Sequence, residues 1–214
     1  GTRDIAARFP NVRILDQNRA LIAADGRITD FAAMRNESIA AATYDWILVV
    51  DADEGVPASM RDEVRAIIEN NEPGVFIASR KFVVNGILIE RCSGYPSEQI
   101  RFFHRSQTHG YVKAIHERLH VKEGVLQRRM QTPLPIPLPP RAELQPKYDR
   151  YLALEVQRVG TKPMAWWLRW VLYRNLRGAL GLTLRTLWIR CTPGGPAMPL
   201  DYEFAYIRHM LRTI

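Results

Sequence analysis

The sequence has little cysteine, a deficit of acidic residues and no long apolar run. Two cysteines, Cys92 and Cys191, occur among 214 residues. They match no metal-ligand spacing and no disulfide framework, so a reducing compartment is expected. No apolar run reaches the roughly 20 residues of a membrane-spanning helix. Lys and Arg number 30 against 22 Asp and Glu. The resulting formal charge of +8 favours anionic partners such as nucleotides, nucleic acid or acidic lipid head groups.

The hydrophobic pattern predicts alternating strands and helices in the first 130 or so residues. The run DWILVV (45–50) is apolar at almost every position, as in a strand covered on both faces, and Asn85-Gly86 predicts a hairpin turn. We predict strands at 11–15, 45–50, on both sides of Asn85-Gly86, at 99–105 and at 114–121, and helices at 30–43 and 57–71. This order predicts an α/β fold with a mixed sheet flanked by helices.

The composition changes at TPLPIPLPPR, residues 132–141. Five prolines in this segment exclude a helix or a central strand, so we predict a linker. Residues 1–131 before it form the predicted α/β domain. Residues 142–214 after it have helical patterns and form a predicted helical C-terminal region.

An acidic turn, DADEG (51–55), follows the apolar strand. Alternate side chains of an extended segment point the same way, so Asp51 and Asp53 can direct two carboxylates at one point. Such oxygen ligands suit Mg²⁺ or Mn²⁺, and the carboxyl end of a strand is where open α/β sheets bind ligands. The alternative is a solvated turn in which Asp53 or Glu54 caps the helix beginning at Pro57.

Three segments in order resemble family 2 glycosyltransferases, in particular the small inverting sugar transferases related to lipopolysaccharide core β-glucosyltransferases. The first is AAMRNESIAAATYDWILVVDADEGVPASM (32–60), in which an Arg-Asn helix precedes a strand ending in Asp-x-Asp-Glu. GYPSEQIRFFHR (94–105) and AIHERLHV (114–121) are similar to two later motifs of these enzymes. The resemblance covers about residues 1–121 and implies a GT-A-like (Rossmann-like) fold. Gly1-Thr2 resembles the end of the family's nucleotide-binding turn, so we expect the first strand–helix–strand to be missing from this chain.

The resemblance also implies how a nucleotide sugar would be bound. Asp53 would be the main metal ligand, with Asp51 near the metal or the ribose. Arg35, with Asn36 beside it, would contact the pyrophosphate or nucleotide. Arg101 would bind phosphate or pair with a carboxylate of the site. We expect Glu54 to support the acidic turn rather than to act in catalysis.

An inverting transfer also needs a carboxylate that accepts the proton of the acceptor hydroxyl. Glu117 and Glu98 are the candidates for this catalytic base. Glu117 is preferred, because His116 beside it could orient it or act as a metal ligand. Ordinary structural roles, an exposed strand end for His116-Glu117 and an ion pair for Arg101, are the alternatives.

The C-terminal region is basic and rich in tryptophan. Between Glu155 and Asp201 there is no acidic residue, whereas seven Lys or Arg and four Trp lie there. Basic residues beside tryptophans suit an anionic membrane surface, so we predict peripheral membrane contact through residues 162–190. A helix packed on the catalytic domain with its arginines in water is the alternative. Nucleic acid is disfavoured, because no recognised binding motif accompanies the charge.

The function that the resemblance implies is inverting transfer of a hexose from a nucleotide sugar, with UDP-hexose favoured. The acceptor would be a saccharide or a lipid-linked molecule such as the lipopolysaccharide core, on the cytoplasmic face of a bacterial plasma membrane. Transfer to a polyprenyl phosphate is one alternative. A non-catalytic module that binds a membrane or a polyanion is the other.

Overall fold

The computed structural model describes residues 1–52, 54–114, 117–159 and 162–212. Its contacts divide the chain into two compact units: residues 1–49, 62–78 and 100–131 form the first, and residues 50–61, 79–99 and 132–214 form the second. The helices are α1 Thr2–Ala6, α2 Phe31–Ala41, α3 Ala58–Glu69, α4 Arg141–Val159, α5 Met164–Trp167, α6 Arg174–Cys191 and α7 Leu200–Arg212, with a π-helical stretch Leu168–Tyr173 before α6. The strands are β1 Trp46–Leu48, β2 Val75–Val84, β3 Ile87–Leu88, β4 Glu98–His104, β5 Thr108–Val112, β6 Arg118–Val121, β7 Gln127–Arg129 and β8 Leu134–Pro137.

The protein is a mixed α/β structure. Within the described residues, six strands form a mixed sheet with the order β1-β4-β2-β3, in which β7 and β8 also pair with β2, and β5 pairs with β6 in a separate ribbon. The pairs β1–β4 and β2–β3 are antiparallel, whereas β7 and β8 run parallel to β2. The expectation of an α/β fold with a mixed sheet and a helical C-terminal region is therefore confirmed.

The first unit has its core under α2 and the β5–β6 ribbon. Ile47 of β1, Val75 of β2 and Phe103 of β4 are buried together, and Ile39 of α2 and Leu119 of β6 pack against them. Burying side chains of this size contributes about 1.5–3 kcal/mol each. The alanine-rich helix α2 and the apolar runs of β1 and β4 thus meet in one cluster.

The second unit combines the end of β2 with most of the helices. Its core is the cluster Val84, Ile89, Cys92 and Met198. Glu203 of α7 is buried, and its carboxylate accepts hydrogen bonds from the backbone N–H and the hydroxyl of Ser93. A buried carboxylate requires such donors, because desolvation without them would cost several kcal/mol. Among the described residues, no helix is sufficiently long and apolar to cross a membrane.

The proline-rich segment contains a strand that the prediction of a linker missed. Residues 134–137 form β8, which pairs in parallel with Arg80–Val83 of β2. The prolines occupy every second position from 133 to 139, so the residues between them keep their N–H groups. Leu138, for example, donates to the carbonyl of Val83 at 2.9 Å. Because alternate N–H groups of a strand point to opposite sides, the prolines leave one side able to pair.

Several local predictions agree with the structure, and one is wrong. The helices expected at 30–43 and 57–71 are α2 and α3, and the hairpin turn lies at Asn85-Gly86, where both residues have positive φ. The strand expected at 11–15 is absent: these residues form no strand, and the apolar side chains of Val12 and Leu15 are largely exposed. A strand needs a neighbour for its backbone groups, and in the described residues this segment has none.

Candidate functional site

Two motifs that are far apart in the sequence meet in the first unit. Arg35 of α2 donates from Nε to Oε1 of Glu117 at 2.8 Å, across 82 positions of sequence. The side chains are 28% and 19% exposed, so the pair is partly shielded from water. The Arg35 guanidinium also lies 5.6 Å from the centroid of the Tyr111 ring. A charge-assisted bond of this length orients the Glu117 carboxylate.

Asn36 holds the same helix against β5. Its side-chain amide donates to the carbonyl of Tyr111 at 2.9 Å, and its side-chain oxygen accepts from the N–H of Tyr111 at 2.7 Å. The amide therefore pairs with the strand backbone as a neighbouring strand would. Its approach depends on Gly110, where a Cβ would lie only 2.7 Å from the Asn36 oxygen.

The start of α2 is fixed by its own sequence and by the loop after β5. Asp30 caps the helix by accepting from the N–H of Ala33 at 2.8 Å, a contact that typically contributes about 1 kcal/mol. The N–H of Phe31 donates to the carbonyl of Ala114 at 2.9 Å. With β5 and β6 paired in antiparallel fashion, α2 presents Arg35 and Asn36 to the ribbon that carries Glu117 at its edge.

The acidic turn belongs to the second unit. The N–H of Asp51 donates to the Glu54 carboxylate at 2.9 Å, and the N–H of Glu54 donates to the carbonyl of Asp51 at 3.0 Å. These reciprocal bonds close the turn and agree with the expectation that Glu54 supports it. Asp53, the predicted main metal ligand, lies outside the described residues.

The other predicted site residues have different surroundings. Glu98, the alternative base, is the exposed first residue of β4 and belongs to the second unit. Arg101 of the first unit is only 3% exposed, and it interacts with another group of the protein. A buried guanidinium must be paired, which is compatible both with a role in the site and with the structural ion pair given above as the alternative.

The described residues do not by themselves form a metal site. Within them, no group of three or more His, Cys, Asp or Glu side chains is arranged to hold a metal ion. Of the three predicted ligands only Asp51 is described, since Asp53 and His116 both lie outside the described residues. The metal thus stays a prediction from the sequence.

Sequence reasoning missed Gly110 and Tyr111. Both contact the Arg35-Asn36 pair, Gly110 by leaving space for Asn36 and Tyr111 through its backbone and ring. A signal for them was present, because a glycine inside a strand pattern often marks close approach of another group. The partner of that glycine, 74 positions earlier in the chain, could not be read from the pattern.

Comparison with known proteins adds one partial match. No family model matches the chain. A TPR repeat-containing protein of Synechococcus elongatus is 46% identical over 52 residues, which is 24% of this chain and 13% of that protein. The tetratricopeptide repeat is a helix–turn–helix unit of about 34 residues. A match that spans so small a part of both chains does not assign this protein to a family.

Proposed function

We propose that the protein is an inverting glycosyltransferase with a GT-A fold that transfers a hexose from a nucleotide sugar to a saccharide or lipid-linked acceptor. The observation that carries this proposal is the contact between Arg35 and Glu117. Each residue belongs to a different motif that resembles family 2 glycosyltransferases. If both motifs serve one active site, their side chains should lie close together, as these two do. The lipopolysaccharide core on the cytoplasmic face of a bacterial plasma membrane is the acceptor that best fits the resemblance.

In the proposed reaction, Glu117 is the base. The acceptor hydroxyl gives its proton to the Glu117 carboxylate while its oxygen attacks the anomeric carbon of the donor sugar. The bond from that carbon to the nucleoside diphosphate breaks, and the diphosphate leaves with the electron pair. Arg35 positions Glu117 by holding Oε1, which lowers the entropic cost of proton transfer.

The nucleotide sugar would be bound by the remaining predicted residues, Asp51, Asp53 and Arg101, with Asn36 fixing the helix that carries Arg35. A divalent cation, Mg²⁺ or Mn²⁺, held by Asp53 and Asp51 with His116 as a further ligand, would supply charge neutralisation for the diphosphate. UDP-hexose is the proposed donor.

Substitution of Glu117 in the full-length protein tests the proposal. We expect Glu117→Gln to lower kcat for sugar transfer by about 10²- to 10⁴-fold, as for loss of a general base, with nearly unchanged affinity for the nucleotide sugar. Glu123→Gln, at an exposed position of the same unit, is the matched control and should be fully active. Asp53→Ala should abolish metal-dependent transfer.

Two outcomes would contradict these assignments. An active Glu117→Gln enzyme would assign the base to Glu98 or another group. Failure of the full-length protein to bind any nucleoside diphosphate, with or without divalent cations, would exclude the transferase and favour the non-catalytic module.

A further inference from the structure

Helix α6 has an apolar stripe on its outer face. The stripe consists of five side chains that are between 47% and 67% exposed and lie on one side of the helix: Leu176, Leu180, Leu184, Leu187 and Trp188. The buried residues of this helix, Asn175, Ala179, Thr186 and Ile189, lie on the opposite face. The helix is therefore packed on one side and apolar on the other, which is unusual for a helix whose outer face meets only water.

Arginines border this stripe on both sides. At about 100° per residue, Arg174 and Arg185 lie about 40–60° beyond Trp188 around the helix, and Arg190 lies about 40° beyond Leu176 on the other side. All three are exposed, as is Arg177, which lies within the stripe between Leu184 and Trp188 on the helical wheel. No Asp or Glu occurs between Glu155 and Asp201, so every charged side chain of α6 itself is basic.

The preceding residues extend the same character. Met164, Leu168, Trp170 and Tyr173 are also exposed apolar or aromatic residues. The guanidinium of Arg169 lies 5.6 Å from the centroid of a Trp170 ring. Tryptophan and arginine side chains of this kind are favoured at the boundary between lipid head groups and acyl chains.

An open pocket of about 350 Å³ adjoins the stripe, since Arg185 and Trp188 line it as well. Lys81 of β2 and Glu90 are further lining residues. Arg185 donates to the carbonyl of Tyr95 at 2.6 Å, which holds its guanidinium at the mouth. The pocket thus offers a held guanidinium and an ammonium group, together with one carboxylate, beside an apolar surface.

We propose that the α6 stripe binds the surface of a bilayer that contains anionic lipids. The leucines and Trp188 enter the boundary between head groups and acyl chains, while the flanking arginines and Lys81 contact lipid phosphates. The helix lies along the surface, as interfacial amphipathic helices do. A second copy of the chain is a poorer occupant, because a two-fold contact between two α6 helices would bring two sets of arginines together, and α6 carries no acidic residue to pair with them.

Vesicle flotation with the full-length protein tests this proposal, which does not depend on glycosyl transfer. Probes are phosphatidylcholine vesicles with and without phosphatidylglycerol. We expect binding only to the anionic vesicles. Leu180→Glu with Leu184→Glu should weaken that binding by at least about tenfold for each leucine, since each forfeits its apolar burial. The matched control is Leu126→Glu, at an exposed leucine of the first unit, which should bind like the wild type.

Charge and folding controls complete the experiment. Arg174→Gln with Arg177→Gln should lower binding by about 30-fold, because each cation near an anionic surface contributes roughly fivefold in affinity, and inorganic phosphate should not compete. Circular dichroism should show unchanged folding of every variant. Equal binding by the double-glutamate variant would overturn the proposal. So would a wild-type dimer, seen by light scattering, that this variant converts to a monomer without any vesicle binding.

Discussion

Gly110 provides the sharpest test of how Asn36 is held. Its φ is +88°, and an alanine Cβ there would lie 2.7 Å from the Asn36 side-chain oxygen. Gly124, in the same unit, has a φ of +77° but nothing within 4 Å of the same position. Alanine in left-handed backbone costs about 1–2 kcal/mol at either site. Only Gly110→Ala also displaces Asn36, whose two hydrogen bonds to Tyr111 contribute about 1 kcal/mol each.

We therefore expect Gly110→Ala to lower the free energy of unfolding by about 2 kcal/mol more than Gly124→Ala. Urea unfolding followed by circular dichroism measures both values, and an unchanged m-value would attribute the change to stability alone. In an Asn36→Ala background the difference between the two glycine substitutions should disappear, as a double-mutant cycle requires. Equal costs in the wild-type background, or a difference that persists without Asn36, would refute the reasoning.

Three further predictions concern the second unit. Arg91 donates from Nη1 to the carbonyls of Ile189 and Thr192 at 2.9 and 2.6 Å and from Nε to that of Gly195 at 2.9 Å. Arg91→Lys keeps the charge but not the planar guanidinium. We therefore expect thermal unfolding to show a free energy of unfolding lower by about 1–3 kcal/mol. Arg8→Lys, at an exposed position, should have no effect, and an equal loss there would contradict the assignment. Burial, with the nearby Glu203 carboxylate, raises the pKa of Cys92 from 9.0 to about 12. A thiol reagent at mildly alkaline pH should therefore label only the exposed Cys191. Labelling should be absent in Cys191→Ser. The pKa of Cys92 is higher in the folded than in the unfolded state, so its protonated thiol stabilises the fold fully below pH 9, and that contribution is lost as the pH rises towards about 12. Unfolding curves with the same midpoint below pH 9 and above it would refute this prediction.

Local sequence patterns predicted much of the secondary structure. The alanine content and polar start of residues 30–43 predicted α2, and Asn85-Gly86 predicted the hairpin, because helix starts and turns are made by residues adjacent in sequence. The same reasoning failed at residues 11–15, whose apolar alternation suits a strand that finds no neighbour. Strand β8 is a second exception, because its prolines alternate with residues whose N–H groups remain available for pairing.

The sequence indicated which residues belong to the candidate site, but not which of them contact one another. The resemblance pointed to Arg35 and Glu117 but assigned them to different tasks, whereas the structure joins them at 2.8 Å. It pointed to Glu54 as a support, and the bond to the Asp51 N–H agrees with this. Asp53 and His116 lie outside the described residues, so their roles stay predictions.

The sequence by itself determined the element types, the basic charge of the C-terminal region and the glycine that tolerates positive φ at position 110. These depend on backbone torsion, side-chain spacing and composition, which act over a few residues. Tertiary structure alone decided that Asn36 pairs with the backbone of Tyr111. It also decided that the leucines of α6 face outwards, although the buried face of this helix includes Asn175 and Thr186. Such choices depend on the free energy of contacts between distant segments, which no local pattern contains.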